Sequence, residues 1–182
     1  MVAAETDHVH VSVAQTIGCG PHIVVACRSA AFNSHGMTIE ELLAREGVRH
    51  TLASYNMAGD RLRVEDFMAV FTEDALFESD GFRFEGRQAI HDWLTGWGKS
   101  ASDASPRRRV KFVRHNLTTC LIDVTGPETA TARTYFVVFT DIGPDHCGYY
   151  VDAFRKIEAR WLIAHRKVRV DWRSPDSAFV SA

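Results

Sequence analysis

A carboxylate, Asp60, and an imidazole, His115, are the two side chains of this 182-residue chain best suited to moving a proton. Asp60 closes the run Tyr55-Asn-Met-Ala-Gly-Asp60 at the end of a short amphipathic helical segment, and His115 lies in a stretch patterned as a strand. Imidazole with an unperturbed pKa near ~6.5 is the natural base close to neutral pH. With a carboxylate on one ring nitrogen, the other can take a proton from a carbon next to a carbonyl, general-base work worth about 10²–10⁴-fold. Each residue also has a plainer reading: His115 as a hydrogen-bonded core histidine, Asp60 as a turn or helix-end residue. Brought together inside an apolar cavity, they form a general base with its orienting carboxylate.

Further residues join this pair. Tyr55 reads either as an ordinary buried helix residue or as a hydroxyl aimed at a substrate carbonyl oxygen, where it steadies the enolate formed as the proton leaves. Tyr150, Asp152 and Phe154 share one face by alternation. Tyr150 and Asp152 are then a cross-strand packing group and a sheet-end charge, or cavity contacts that orient a ligand. Phe77, Tyr135 and Phe139 line such a cavity or fill it, while Trp93 and Trp97 read as helix-to-sheet core. Val113, His115, Leu117 and Thr119 share a face by the same period. Cys120, five residues after His115, then falls on the opposite face, against a Cys–His nucleophilic pair.

No metal or cofactor is called for. His8-Val9-His10 is too isolated for a metal site, which needs three or four ligands. The chain has no Walker loop, GxGxxG segment or GxSxG elbow. Cofactor-independent catalysis is the economical reading.

The elements that must position these groups follow from capping and periodicity. Thr38, with Glu41 three residues on, forms a capping-box pattern, and Ile39, Leu42, Leu43, Val48 and Leu52 follow at helical spacing through about Tyr55. A second short helix spans 64–71 and a third 86–97. Between them 74–78 and 82–84 pair as a hairpin across Ser79-Asp80-Gly81. Long strands follow over about 110–124, 129–141, 148–157 and 161–172, separated by Gly126-Pro127, Gly143-Pro144 and Glu158-Ala159-Arg160. Three helices and then an antiparallel meander predict an α+β domain with the helices on one face of a curved sheet.

Composition narrows the function classes. At 46% hydrophobic residues the chain can bury one full core. A net charge of −2 and a pI near 6.5 exclude nucleic acid as the main partner, since no basic excess exists to neutralise phosphates. The basic run 106–109 follows a small-polar stretch and reads as a solvated loop. Cys19, Cys27, Cys120 and Cys147 lack CxxC spacing and suit reduced thiols in a cytoplasmic setting. No apolar run approaches the ~20 residues of a membrane span, and no secretory leader is evident. Residues 1–36 lack a sustained period and read as a flexible N-terminal extension, or as the product of a misassigned start with Met37 the true first residue.

The order of elements resembles the SnoaL-like branch of the NTF2-like superfamily, which includes polyketide cyclases, scytalone dehydratases, hexachlorocyclohexane dehydrochlorinases and bile acid 7α-dehydratases. The matching text runs over residues 38–172: Tyr55 to Asp60, Phe71-Thr-Glu-Asp-Ala-Leu-Phe-Glu78, Gly86-Arg87-Gln-Ala-Ile90, Arg114-His115-Asn116, Gly148-Tyr-Tyr150-Val-Asp152 and Arg160-Trp161-Leu-Ile-Ala-His-Arg166. The resemblance implies an NTF2-like cone over 37–175, with 176–182 a C-terminal tail. It also implies an Asp60–His115 dyad with Tyr55 beside it. An Arg that some members use near the last strand corresponds to Arg166 or Arg169. The chain departs from scytalone dehydratases in lacking a His between 115 and 146, where Thr140 lies nearest, and in having Gly59 before the Asp. The implied activity is a cofactor-independent lyase or isomerase, dehydratase- or cyclase-like, acting on a hydrophobic, cyclic small molecule. The rival is a non-catalytic binding or subunit-pairing protein, like the β subunits of ring-hydroxylating dioxygenases. Either way the resemblance implies a homodimer or higher homo-oligomer.

Overall fold

Helix α1 (Ile39–Gly59) starts where the capping box predicts, with the Thr38 hydroxyl accepting the Glu41 backbone N–H at 3.1 Å. Its buried stripe is Ala44, Val48, Thr51, Leu52, Tyr55, Asn56 and Ala58. Ile39, Leu42 and Leu43, at helical spacing in the sequence, are exposed instead. The computed structural model describes residues 36–100, 110–177 and 179, with the side chains of 97–100 excepted. The expectations for residues 1–35, the basic run 106–109 and the end of the tail lie outside them.

After α1 come α2 (Val64–Met68), β1 (Phe71–Ser79), β2 (Phe82–Glu85), α3 (Arg87–Ser100), β3 (Arg114–Gly126), β4 (Thr129–Thr140), β5 (Gly143–Ile157) and β6 (Arg160–Arg173). They form one six-stranded sheet in the order β2-β1-β6-β5-β4-β3, antiparallel except for the parallel β1–β6 pair. This is the expected α+β architecture of three helices on a curved, mainly antiparallel sheet. Parallel pairing of β1 with β6 joins the hairpin to the meander and lets Ile163 donate to the Val70 carbonyl at 2.8 Å.

The core lies between the helices and the concave face. Val48, Leu52, Phe71, Phe77, Ile90, Val138, Phe154 and Ile163 are all nearly inaccessible there. Burying side chains of this size contributes about 1.5–3 kcal/mol each before chain entropy is counted. Phe77 packs against Phe71, Phe82 and Trp93, so it fills the core. Register shifts at several strand pairs bend the sheet, as bulges do. At one of them Gly148 is the residue that fits, since a Cβ there would stand 1.9 Å from the Arg169 carbonyl oxygen. No helix among the described residues is long and apolar enough to cross a membrane.

Candidate functional site

The last turn of α1 delivers Asp60 to the mouth of the core, where it serves as the helix C-cap and donates its own N–H to the Asn56 carbonyl at 2.9 Å. From across the domain, the first residues of β3 bring His115 against it. Asp60 Oδ1 lies 2.6 Å from His115 Nδ1, and the His115 backbone N–H donates to Oδ2 at 3.1 Å. One carboxylate therefore fixes both the backbone and the ring of His115. The Asp60 side chain is 7% exposed and that of His115 25%, so the acid is sheltered while the ring remains reachable. With Nδ1 engaged, Nε2 is the nitrogen available to a ligand.

Phe136 and His146 flank the His115 ring, at centroid distances of 6.4 and 6.5 Å. Phe136 stacks on Tyr150 at 4.6 Å, and Tyr150 meets Tyr55 edge-on at 6.0 Å. Behind them the Arg166 guanidinium lies against both the Tyr55 and Tyr150 rings, 4.0 and 4.1 Å from their centroids. Its Nε and Nη2 donate to the two Asp152 oxygens at 2.8 and 2.7 Å, with both side chains fully buried. Burial alone would lower the Arg166 pKa, but the Asp152 carboxylate raises it, so the cation persists. Burial pushes the Asp152 carboxyl up, with the guanidinium opposing that shift. Burial likewise raises the Tyr55 and Tyr150 hydroxyls, and both remain protonated donors at neutral pH.

Asp60, His115, Tyr55, Tyr150 and Asp152 thus gather on the concave side, with Tyr150 linked to the dyad through Phe136 and Asp152 held by Arg166. Phe77 belongs to the core farther along. Tyr135 stands on the convex face, 49% exposed and edge-on to Tyr149, and Phe136 takes the inward place beside the dyad. Of the two arginines left open by the sequence, Arg166 reaches the interior, while Arg169 turns outward to Asp80. Cys120 shares the face of His115, contrary to simple alternation. A bulge between Leu117 and Cys120 adds one residue and sets Cys120 opposite Thr134, whose hydroxyl lies 3.3 Å from its sulfur.

A second carboxylate–imidazole pair escapes the sequence reading. His146 Nδ1 lies 2.8 Å from Asp145 Oδ1, and the Ser177 hydroxyl donates to the same oxygen at 2.6 Å. Burial lowers the His146 pKa below its usual value, with Asp145 opposing and the charges of His115 and Arg173 adding to the fall. Starting the third long strand at Gly148 leaves these residues in a turn, whereas β5 begins at Gly143. Extending the alternation Tyr150, Asp152, Phe154 backward through Gly148 would have placed His146 on the same face. Among the described residues, no group of three or more His, Cys, Asp and Glu side chains is placed to hold a metal ion. Two hollows of about 270 and 320 Å³ lie along the convex side and include neither member of the dyad.

A six-stranded curved sheet closed by three helices is the fold of an NTF2-like α+β protein. The chain belongs to the SnoaL-like family, whose domain description matches residues 40–167. Among curated protein sequences none matches it. Similar solved structures include a provisionally named scytalone dehydratase from Novosphingobium aromaticivorans (TM-score 0.65, 21% identity, covering 79% of this chain and 93% of that one). Another is hexachlorocyclohexane dehydrochlorinase LinA-type3 from Novosphingobium barchaimii (TM-score 0.61, 12% identity, 75% and 92%). A third is the β subunit of a provisionally assigned aromatic-ring-hydroxylating dioxygenase from N. aromaticivorans (TM-score 0.61, 18% identity, 76% and 98%). At these identities the likeness establishes the fold.

Proposed function

We propose that the protein is a cofactor-independent lyase or isomerase in which His115, oriented by Asp60, removes an activated C–H proton from a hydrophobic, cyclic small molecule. The observation that carries this reading is the 2.6 Å contact between Asp60 Oδ1 and His115 Nδ1 beside a partly exposed ring. Asp60 holds the ring in the tautomer whose Nε2 lone pair accepts the proton and stabilises the imidazolium that results. Tyr55 and Tyr150, kept protonated by burial, supply hydroxyl donors for the enolate oxygen, and Arg166 behind them adds positive potential. The protonated His115 then returns its proton, to a departing group in an elimination or to a neighbouring carbon in a double-bond shift. The dehydratase and dehydrochlorinase names of two structural relatives support this class of reaction.

Steady-state turnover of a panel of cyclic hydroxy-ketones tests the dyad. Asp60→Asn and His115→Ala should each lower kcat/KM by about 10²–10⁴-fold. Near-normal turnover in both variants would remove the dyad from the mechanism.

One observation favours a second reading, a non-catalytic binding or subunit-pairing role. The convex sheet face exposes Leu121, Tyr135, Phe139, Val151 and Trp172. A second copy of the chain seated there would make a homodimer, and light scattering after size exclusion reads that state directly. A monomer at micromolar concentration that copurifies with a larger enzyme subunit would support the subunit role instead.

A further inference from the structure

The Asp145–His146 pair stands outside the mechanism just described, yet its ring faces His115 across 6.5 Å at an interplanar angle of 86°. Both imidazoles are built alike, with Nδ1 held by a carboxylate and Nε2 left for a ligand. Two hydrogen bonds of about 2.8 Å converging on one oxygen place their nitrogens ~4.5 Å apart, and the ring radii extend this to ~6–7 Å between centroids. The observed 6.5 Å falls within the range that two rings sharing one oxygen atom require. Phe136, 6.4 Å from one ring and 6.0 Å from the other, closes the third side.

We propose that His146 is a second substrate-contacting residue, which accepts the O–H of a hydroxyl whose oxygen faces His115, and that the substrate is accordingly a β-hydroxy carbonyl compound. This rests on the dyad reading above and narrows it to dehydration. His115 Nε2 takes the proton as the C–H bond breaks, and the electron pair forms the enolate. As the C–O bond breaks, its electron pair goes to the hydroxyl oxygen, and His115 delivers to that oxygen the proton it had taken. Water leaves, and no proton is left over. His146 remains neutral throughout and turns the oxygen's lone pair toward His115.

The surroundings of His146 suit an acceptor. Asp145 is fully buried and accepts from both His146 and Ser177, with the Thr140 hydroxyl 3.4 Å away, which fixes Nδ1–H as the donor to the carboxylate. Burial, His115 and Arg173 all disfavour the charged ring, and only Asp145 favours it. Asp145 and Ser177 are positioning residues here. Phe179 covers the ring at 5.5 Å and limits the approach of water.

The test uses the full chain carrying Asp60→Asn, to hold the ligand unreacted, with 3-hydroxycyclohexanone and 3-methoxycyclohexanone as probes. The hydroxyl compound should bind about tenfold more tightly than its methyl ether, the worth of one buried hydrogen bond. It alone should shift the Nε2 resonance of His146 in ¹⁵N-histidine-labelled protein. Adding His146→Phe should bring the two affinities to within about twofold of each other. Equal affinities with His146 intact, a contrast that survives His146→Phe, or a His146 resonance unmoved by the hydroxyl compound would each overturn the assignment. The resonance needs no substitution at 146, so it decides even where that variant fails to fold. Failure of the dyad reading has a different signature: Asp60→Asn turns over 3-hydroxycyclohexanone at the wild-type rate while the His146-dependent contrast persists.

Discussion

Replacing Asp152 by Leu removes the partner of a guanidinium that has no route to water. Arg166 and Asp152 both have fully buried side chains, and the Tyr55 and Tyr150 rings lie against the guanidinium at 4.0 and 4.1 Å. Two opposing effects set the outcome. Desolvating both ions consumes most of their attraction, so the intact pair contributes little net stability against an apolar pair of similar volume. Removing one ion leaves the other buried and uncompensated, which costs about 3–5 kcal/mol. Asp152→Leu and Arg166→Met should therefore each be severely destabilising, while the double variant should lie within about 2 kcal/mol of the parent. With a urea slope of ~2 kcal/mol/M, each single change lowers the unfolding midpoint by about 1.5–2.5 M. Far-UV circular dichroism and Tyr/Trp fluorescence, followed through the same titration, check that the transition remains two-state. A single variant within about 1 kcal/mol of the parent would show that water reaches the guanidinium and that the buried pair is misread. A double variant as unstable as the sum of the singles would remove the coupling between the two side chains.

Three other outcomes follow from named contacts. Thr38→Ala removes the hydroxyl that accepts the Glu41 N–H at 3.1 Å, and should cost about 1 kcal/mol, a drop of roughly 2–4 °C in Tm by calorimetry. Gly148→Ala places a methyl 1.9 Å from the Arg169 carbonyl oxygen, forces β5 and β6 apart, and should cost about 3 kcal/mol or more; a chemical-denaturation midpoint equal to that of the parent would contradict the close approach. The His146 pKa is lower in the folded chain than unfolded, so below the ordinary histidine value of ~6.5 the unfolded chain binds more protons and stability falls as pH falls. Thermal melts from neutral pH down to about 5 should show the parent losing stability relative to His146→Gln, and parallel curves would remove the linkage.

How much of this was legible in the sequence depends on whether a signal was local. The N-terminus of α1 was readable from Thr38 and Glu41 alone, because a cap is a contact over three residues. The meander was readable from turn residues between alternating runs. Ile39, Leu42 and Leu43 share the helical spacing of Val48 and Leu52, yet only the latter two are buried. Nothing in that helix states where its partner surface begins. The faces of Cys120 and Tyr135 were misread for related reasons. A bulge after Leu117 breaks the period of two without any glycine or proline to mark it. Tyr135 and Phe136 compete for one inward place, and only pairing of Phe136 with Gly148 and Leu117 decides between them. His146 was lost to a strand boundary, because Gly143-Pro144 reads as a turn although the ladder already pairs there.

Asp60 and His115 illustrate what resemblance adds to local rules. By electrostatics a carboxylate at a helix C-terminus is misplaced, facing the negative end of the dipole at a penalty of about 0.3–1 kcal/mol. Lys or Asn would suit the helix better, so the helix by itself does not account for Asp60. The contact that does account for it spans 55 residues of sequence and joins the helical half to the sheet half. Its energetic return, hydrogen bonds to the ring and the backbone N–H of His115, goes to orienting one imidazole at the edge of the core. The same pattern recurs at Asp145, whose buried carboxylate orients His146 and also takes the Ser177 hydroxyl from beyond the last strand. Both acids hold an imidazole by its Nδ1, and the two rings stand 6.5 Å apart. A core that needed only stability would fill both places with apolar side chains.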